Sequence, residues 1–357
     1  MFNIFSPRLN FFALNISDLS LRVAQIESRN KRLAKFAFSQ IELSDDVLDE
    51  GEIKNEERFI SSLQNVLKTA KPAKITAKYA AVCLPDEYAF IDVLRLPVLK
   101  AEEIPKAVMF EAANYIPLPI DDVYLDYEVI NCPNSALKNC VEVLIAAVPK
   151  KIINNYNSVL KRAGLSMVFV ETESISLVRA LIQKNIAHKP ILIIDFGRSR
   201  TGLCTFAGGS LRFTSTIPIS SLELDNVLSR ELKISLDKAR EIRQGQGLWA
   251  KGEALEAMVP ALTDFTEQIK KHIDYYGSHT ANKHLPKEVE KLILCGNGAG
   301  LKGLADFLAQ SLHTKIELGN PWINVLPALS KQMPPLPIEQ ALAFAAPIGL
   351  ALSGLKL

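Results

Sequence analysis

A chain of 357 residues, 48% of them hydrophobic, is long enough for two or more domains around a large buried core. Its 41 basic and 39 acidic residues leave a formal net charge of +2. No basic tract interleaved with aromatics appears, so the electrostatic footprint of a nucleic-acid binder is missing and no nucleic-acid partner is expected.

Five cysteines, an odd number without metal-ligand spacing, fit a reducing compartment, and the chain reads as cytoplasmic. Cys132 and Cys140 are candidates to pair across a loop, with free thiols as the alternative. The stretch from Met1 to Asn10 lacks the apolar core and small-residue cleavage site of a signal peptide, although Phe2, Ile4 and Phe5 offer contact to a surface. The charge-free run from Gln340 to Leu355 is interrupted by Pro347 and two glycines and is too short for a membrane span, so it reads as a core helix.

In chain order, Phe11 to Ile16, Ser20 to Glu27 and Ala34 to Leu43 read as strands. An amphipathic helix follows from Glu56 to Ala70, with Phe59, Leu63, Val66 and Leu67 on one face, and then a strand from Tyr79 to Leu84. From about Pro85 to Gly164 the pattern changes to that of a small inserted α+β domain. It has a helix over Ala101 to Asn114 with Pro105 in its first turn, and a non-helical run from Ile116 to Pro119. Strands at Val123 to Ile130 and Val141 to Val148 precede a helix from Lys151 to Ala163, closed by Gly164.

The opening cadence then returns. Strands at Ile191 to Phe196, Gly202 to Phe206 and Leu211 to Ile219, then helices, then a strand at Lys291 to Cys295 read as a degenerate internal duplication. Helices are expected at Leu236 to Leu248 and Leu262 to Tyr276, the second with a core stripe of Phe265, Ile269, Ile273 and Tyr276. His272, His279 and His284 lack a third ligand in metal register and read as solvated surface histidines.

The most informative stretch is Ile191-Leu192-Ile193-Ile194-Asp195-Phe196-Gly197, a buried strand that ends in an acid and a tight turn. Successive amides in such a turn cradle phosphate, and Asp195 is placed to hold magnesium through its water shell. An ordinary hairpin with an acid at its corner is the alternative. The duplication sets Asn15-Ile16-Ser17 where Asp195-Phe196-Gly197 stands, so two such turns are expected to face each other across a cleft.

Four motifs in shared order carry a family resemblance: Tyr115 to Tyr127; Asp195 to Gly202 with Leu211 to Thr214 and Ile217 to Ile219; Asp264 to Tyr276; and Leu292 to Leu304. Together they resemble the PilM family of type IV pilus assembly proteins, actin-like and related to the division protein FtsA. The resemblance implies an α/β chain in an actin-like ATPase fold of two duplicated subdomain pairs, with an inserted small α+β domain of FtsA-like 1C, or SHS2, type. On that pattern subdomain 1A spans 1–84, completed by 166–190 and 336–357, and the inserted domain spans 85–165. Subdomain 2A takes 191–235 with 285–335, and subdomain 2B takes 236–284.

The resemblance also implies ATP and magnesium as cofactors. It places Asn15, Ser17, Asp18, Ser20 and Arg22 in the first phosphate loop and Asp195, Gly197, Ser199 and Thr201 in the second, with Asp195 as the metal residue. Gly296, Asn297 and Gly298 form the turn beside the ribose and adenine, with a plain strand-to-helix turn as the alternative. Arg243 borders the adenine, or else belongs to a solvated helix face. The first loop departs from the family's Asp-Ile-Gly: Asn15 hydrogen-bonds a metal-bound water without adding negative charge, Ser17 narrows the space, and Asp18 is the substitute carboxylate. No catalytic residue is assigned, and nothing matches a Walker loop, a His-Glu-x-x-His helix or a Gly-x-Ser-x-Gly elbow.

The function so implied is that of a cytoplasmic platform, peripheral to the inner membrane, in a type IV pilus or related secretion machine. It binds the N-terminal cytoplasmic segment of a PilN-like bitopic inner-membrane protein between the first subdomain and the inserted domain, with Phe110 to Asp122 as the expected neighbourhood. Pilus assembly ATPases and further copies of the chain are the other implied partners. The alternatives are an actin-like ATPase that turns over ATP and an FtsA-like polymerising division protein, although only Lys356 follows the terminal helix as a basic residue.

Overall fold

In the computed structural model, which describes residues 10–29, 32–130, 140–183, 189–280, 285–326 and 332–355, the apolar alternation near the start becomes β1 (Phe11–Ser17), β2 (Ser20–Arg29) and β3 (Arg32–Glu42). Phe2, Ile4, Phe5, Cys132, His284 and Lys356 lie outside the described residues. Two short strands, β4 (Leu48–Asp49) and β5 (Glu52–Ile53), lead to α1 (Glu56–Lys68) and β6 (Tyr79–Leu84). Helix α1 starts where the Asn55 side chain accepts a hydrogen bond from the Arg58 amide at 3.2 Å, and it buries Phe59, Leu63 and Val66.

The segment that breaks the pattern contributes β7 (Phe90–Pro97), α2 (Ile104–Ala112), β8 (Val123–Ile130), β9 (Cys140–Pro149) and α3 (Lys150–Arg162). It is followed by β10 (Ser166–Thr172) and α4 (Glu173–Leu181). The second meander comprises β11 (Ile191–Phe196), β12 (Thr201–Ala207) and β13 (Ser210–Ile217), with α5 (Ser221–Leu232), α6 (Leu236–Gly245) and α7 (Glu253–Tyr275) behind it. The chain continues through β14 (Lys291–Cys295), α8 (Leu304–Leu312), β15 (Lys315–Leu318), α9 (Ile338–Ala341) and α10 (Ala345–Leu352).

The duplication is visible in the backbone pairing. One sheet has the order β10-β6-β1-β2-β3 and the other β13-β12-β11-β14-β15. In each, the first strand is antiparallel to the second, the second to the third, and a parallel pair extends from the first strand's other side. The register matches too: Asn15 stands opposite Arg22 and Cys83, and Asp195 opposite Gly202 and Cys295. The third sheet, β7-β9-β8, belongs to the inserted segment and packs its own core from Leu94, Leu96, Val108, Val143 and Ile145.

Alternation decides which face of each strand meets which core. In β1, Phe12, Leu14 and Ile16 turn toward α1 and α3, while Ala13 joins the larger cluster that includes α4, α10 and the second sheet. That cluster forms an apolar floor shared by both halves. Helix α10, from the charge-free run, is buried along its whole length. Among the described residues no helix is long and apolar enough to cross a membrane.

Two expectations are corrected. Helix α7 starts at Glu253, after Gly252 at φ +64°, and passes through Pro260 instead of starting beyond it. His272 is buried at 3% exposure: it follows Phe265 and Ile269 at helical spacing on the inner face, where Nε2 pairs with Thr205 Oγ1 at 2.9 Å and Nδ1 with Ser215 Oγ at 2.6 Å. Burial pushes its pKa down to about 3, which keeps it neutral. His279 is exposed, as expected.

Candidate functional site

The turns β1–β2 and β11–β12 meet over the shared floor and enclose a cavity. Of the residues singled out in the sequence, Asn15, Ser17, Arg22, Asp195, Gly197, Ser199, Gly296 and Asn297 line it. Gly202, at the pairing position that Arg22 occupies in the first hairpin, lines it as well.

The glycines are required by close approach. A Cβ on Gly197 would stand 2.5 Å from the Arg200 carbonyl oxygen, which accepts the Gly197 N–H at 3.0 Å. Gly296 has φ +94°, and a Cβ there would collide with the Asp195 carboxylate and lie 2.6 Å from the Phe196 oxygen. Gly298 serves packing, since a Cβ would lie 2.5 Å from the Phe196 ring.

Other singled-out residues are committed elsewhere. Thr201 donates its hydroxyl to the Ile219 oxygen at 2.6 Å. Ser20 and Ser17 pair their hydroxyls at 2.8 Å. Asp18 pairs with Arg200 and accepts from the Tyr88 hydroxyl at 3.2 Å. Arg243 is buried in a fork on Asp225, with Nε at 2.5 Å and Nη2 at 3.1 Å, and ties α6 to α5 instead of lining the cavity.

Sequence reasoning missed Asp86, Glu173, Arg198 and Arg200, all of which line the cavity. Asn15 Nδ2 donates to Glu173 Oε1 at 2.8 Å, and Asp86 accepts from the Ser174 amide and hydroxyl at 3.1 and 2.9 Å. Burial pushes the Glu173 carboxyl above the usual range, and the Asp195 charge pushes it further. Burial likewise raises Asp195, with the positive charge of Arg22 acting against it. The only local signal for Glu173 is its place at a strand-to-helix junction.

These residues do not fit magnesium and a triphosphate as they are arranged. The first turn offers Asn15 in place of a carboxylate, and the Arg22 guanidinium already supplies positive charge to Asp195 and Glu173. Arg200 is engaged with Asp18 and Glu87. The Gly296 and Gly298 amides donate to Leu342 and Phe196 oxygens at 3.1 and 2.8 Å, and the first amides of α5, Ser221 and Leu222, donate to Gly197 and Arg198 at 3.1 Å each. The cavity leaves about 50 Å³, room for a few waters at about 10–15 Å³ each. Among the described residues no group of three His, Cys, Asp or Glu side chains is placed to hold a metal ion.

A second concavity, of about 540 Å³, lies between the inserted sheet and the first sheet. Strands β8 and β10, each the outermost of its sheet, form its sides through Tyr124 to Glu128 and Met167 to Thr172, and Leu144, Ala146 and Val148 of β9 contribute to its lining. The expected neighbourhood, Phe110 to Asp122, does not line it. Helix α2 buries Ile104, Val108 and Ala112 and leaves Phe110 77% exposed on its outer face.

Comparison with known proteins gives a consistent picture. Residues 13–355 match the family model of the type IV pilus assembly protein PilM. The cell division protein FtsA of Neisseria meningitidis serogroup B is 22% identical over 260 residues, which cover 64% of this chain and 61% of that protein, so the chain spans less than two thirds of that relative's length. A chain of the PilM-PilN type IV pilus biogenesis complex superposes with a TM-score of 0.79 at 21% identity, covering 98% of this chain and 100% of that one. MreB 5 of Spiroplasma citri bound to AMPPNP superposes at 0.53 with 12% identity, covering 88% and 92%. These similarities show an actin-like ATPase fold.

Proposed function

The chain belongs to the PilM family of type IV pilus assembly proteins, and from that premise we propose that it is an assembly platform that captures the N-terminal cytoplasmic segment of a PilN-like inner-membrane protein. The observation that carries this reading is the groove between two outermost strands, β8 and β10. An extended peptide entering it adds to an open ladder through its backbone, while its alternate side chains settle against Leu144, Val148, Met167 and Phe169. The platform is held at the membrane through this partner.

The cleft supports platform over turnover. Hydrolysis needs a positioned water and bound phosphates, and the cavity between the turns leaves about 50 Å³ among charged side chains. The subdomain limits implied by the family pattern are proposed on the same footing.

The test is titration of a labelled peptide of the partner's cytoplasmic segment into the wild type and into Ala146→Arg, which fills the groove from β9. Saturable binding that the substitution weakens tenfold or more supports the reading. Absence of binding to the wild type, or equal binding to both, overturns it.

A further inference from the structure

Among the described residues, five ion pairs cross from the second half to the first half or the inserted sheet, and all five have one polarity. Arg198 and Arg240 meet Glu42, Arg200 meets both Asp18 and Glu87, and Arg212 meets Glu142. In each case the second half supplies the arginine. Arg200 is the central one: it rises from the second turn, its side chain is only 12% exposed, and it lies 5.5 Å from the centre of the Tyr88 ring. A guanidinium shared by two acids and an aromatic face is held more firmly than an exposed surface pair.

Below this layer the first turn is closed on itself through Ser17 and Ser20, and Asn15 reaches Glu173. Arg22 stands opposite Asn15 at the register position held by a glycine in the second hairpin, and it lines the cavity with Asp195 and Glu173. Its charge acts on both carboxylates, with the Asp86 carboxylate beside them.

We propose that the cleft is ligated by the chain itself. Arg22 supplies the positive charge that Asp195 and Glu173 face, and Arg198 and Arg200 tie the second turn to Glu42, Asp18 and Glu87, so the halves stay closed with no nucleotide or metal between them. This inference rests on the cleft alone and stands or falls apart from the peptide groove.

Hydrogen exchange read at the two turns, 15–22 and 195–202, tests it, with the fully buried helix α10 as the folding control. In the wild type, neither magnesium with ATP nor EDTA changes exchange at either turn. The double variant Arg198→Met/Arg200→Met speeds exchange at both turns tenfold or more and leaves α10 protected. If that variant loses α10 protection, Asp18→Asn is the milder lesion and is expected to speed the first turn about threefold or more. Protection of the turns by magnesium and ATP in the wild type overturns the proposal. So does unchanged exchange at 15–22 in whichever variant keeps α10 protected.

Discussion

At the same register point β1 carries Asn15 opposite Arg22, whereas β11 carries Asp195 opposite Gly202. Two residues later the first turn has Ser17 and the second Gly197. The ladders around them are alike, each continuing as an antiparallel meander on one side and through two parallel strands on the other. Backbone pairing and apolar alternation therefore set the scaffold twice, and a few side chains at the strand ends decide what each turn can hold. The second turn keeps the open form, with an acid and two glycines. The first has an amide where the second has an acid and an arginine where the second has Gly202, and Asp18 of the first turn pairs with Arg200 of the second.

The largest effect is expected from making the second turn resemble the first. Gly197→Ser puts a Cβ against the Arg200 carbonyl and lowers unfolding free energy by about 1–3 kcal/mol in urea titration. The next effect reads the buried carboxylates. Because the folded pKa of Glu173 is raised, its contribution is fully present below the ordinary carboxylate value of about 4.3 and is lost as pH rises through the raised one. Each unit of that difference is worth about 1.4 kcal/mol. Glu173→Gln keeps an acceptor for Asn15 and raises thermal stability at pH 9 by at least about that amount, with little change at pH 4.

The converse exchange in the first turn, Ser17→Gly, removes the hydroxyl that contacts the Ser20 hydroxyl and carbonyl oxygen and costs about 0.5–1.5 kcal/mol in the same urea titration. Smallest of all is the response of the wild type to magnesium and ATP, for which a melting shift near zero is expected. Asn15→Asp combined with Arg22→Gly copies the second hairpin into the first and opens the cleft, so a ligand-dependent melting shift of several degrees is expected only there.

Much of this architecture was legible in the sequence because its signals are local. Strand limits at Tyr79–Leu84, Val123–Ile130, Ile191–Phe196 and Lys291–Cys295 follow from apolar runs closed by polar or turn-forming residues, and the duplication follows from their repeated order. The equivalence of Asn15 with Asp195 came from the same cadence. What was not legible depends on contacts between distant positions. Arg200 meets Asp18 across 182 residues and Asn15 meets Glu173 across 158, and neither leaves a trace in local pattern. The expected neighbourhood, Phe110 to Asp122, differs from the groove proposed for the peptide for a related reason: sheet order decides which strand edges are left open. His272 is different, since its spacing from Phe265 already put it on the buried face.

The most direct measurement is the affinity of the full chain for the N-terminal cytoplasmic peptide of a PilN-like partner, determined by calorimetry with EDTA and again with magnesium and ATP. A self-ligated platform gives the same dissociation constant, within about twofold, under both conditions. Binding that appears only with magnesium and ATP, or no binding under either, contradicts it.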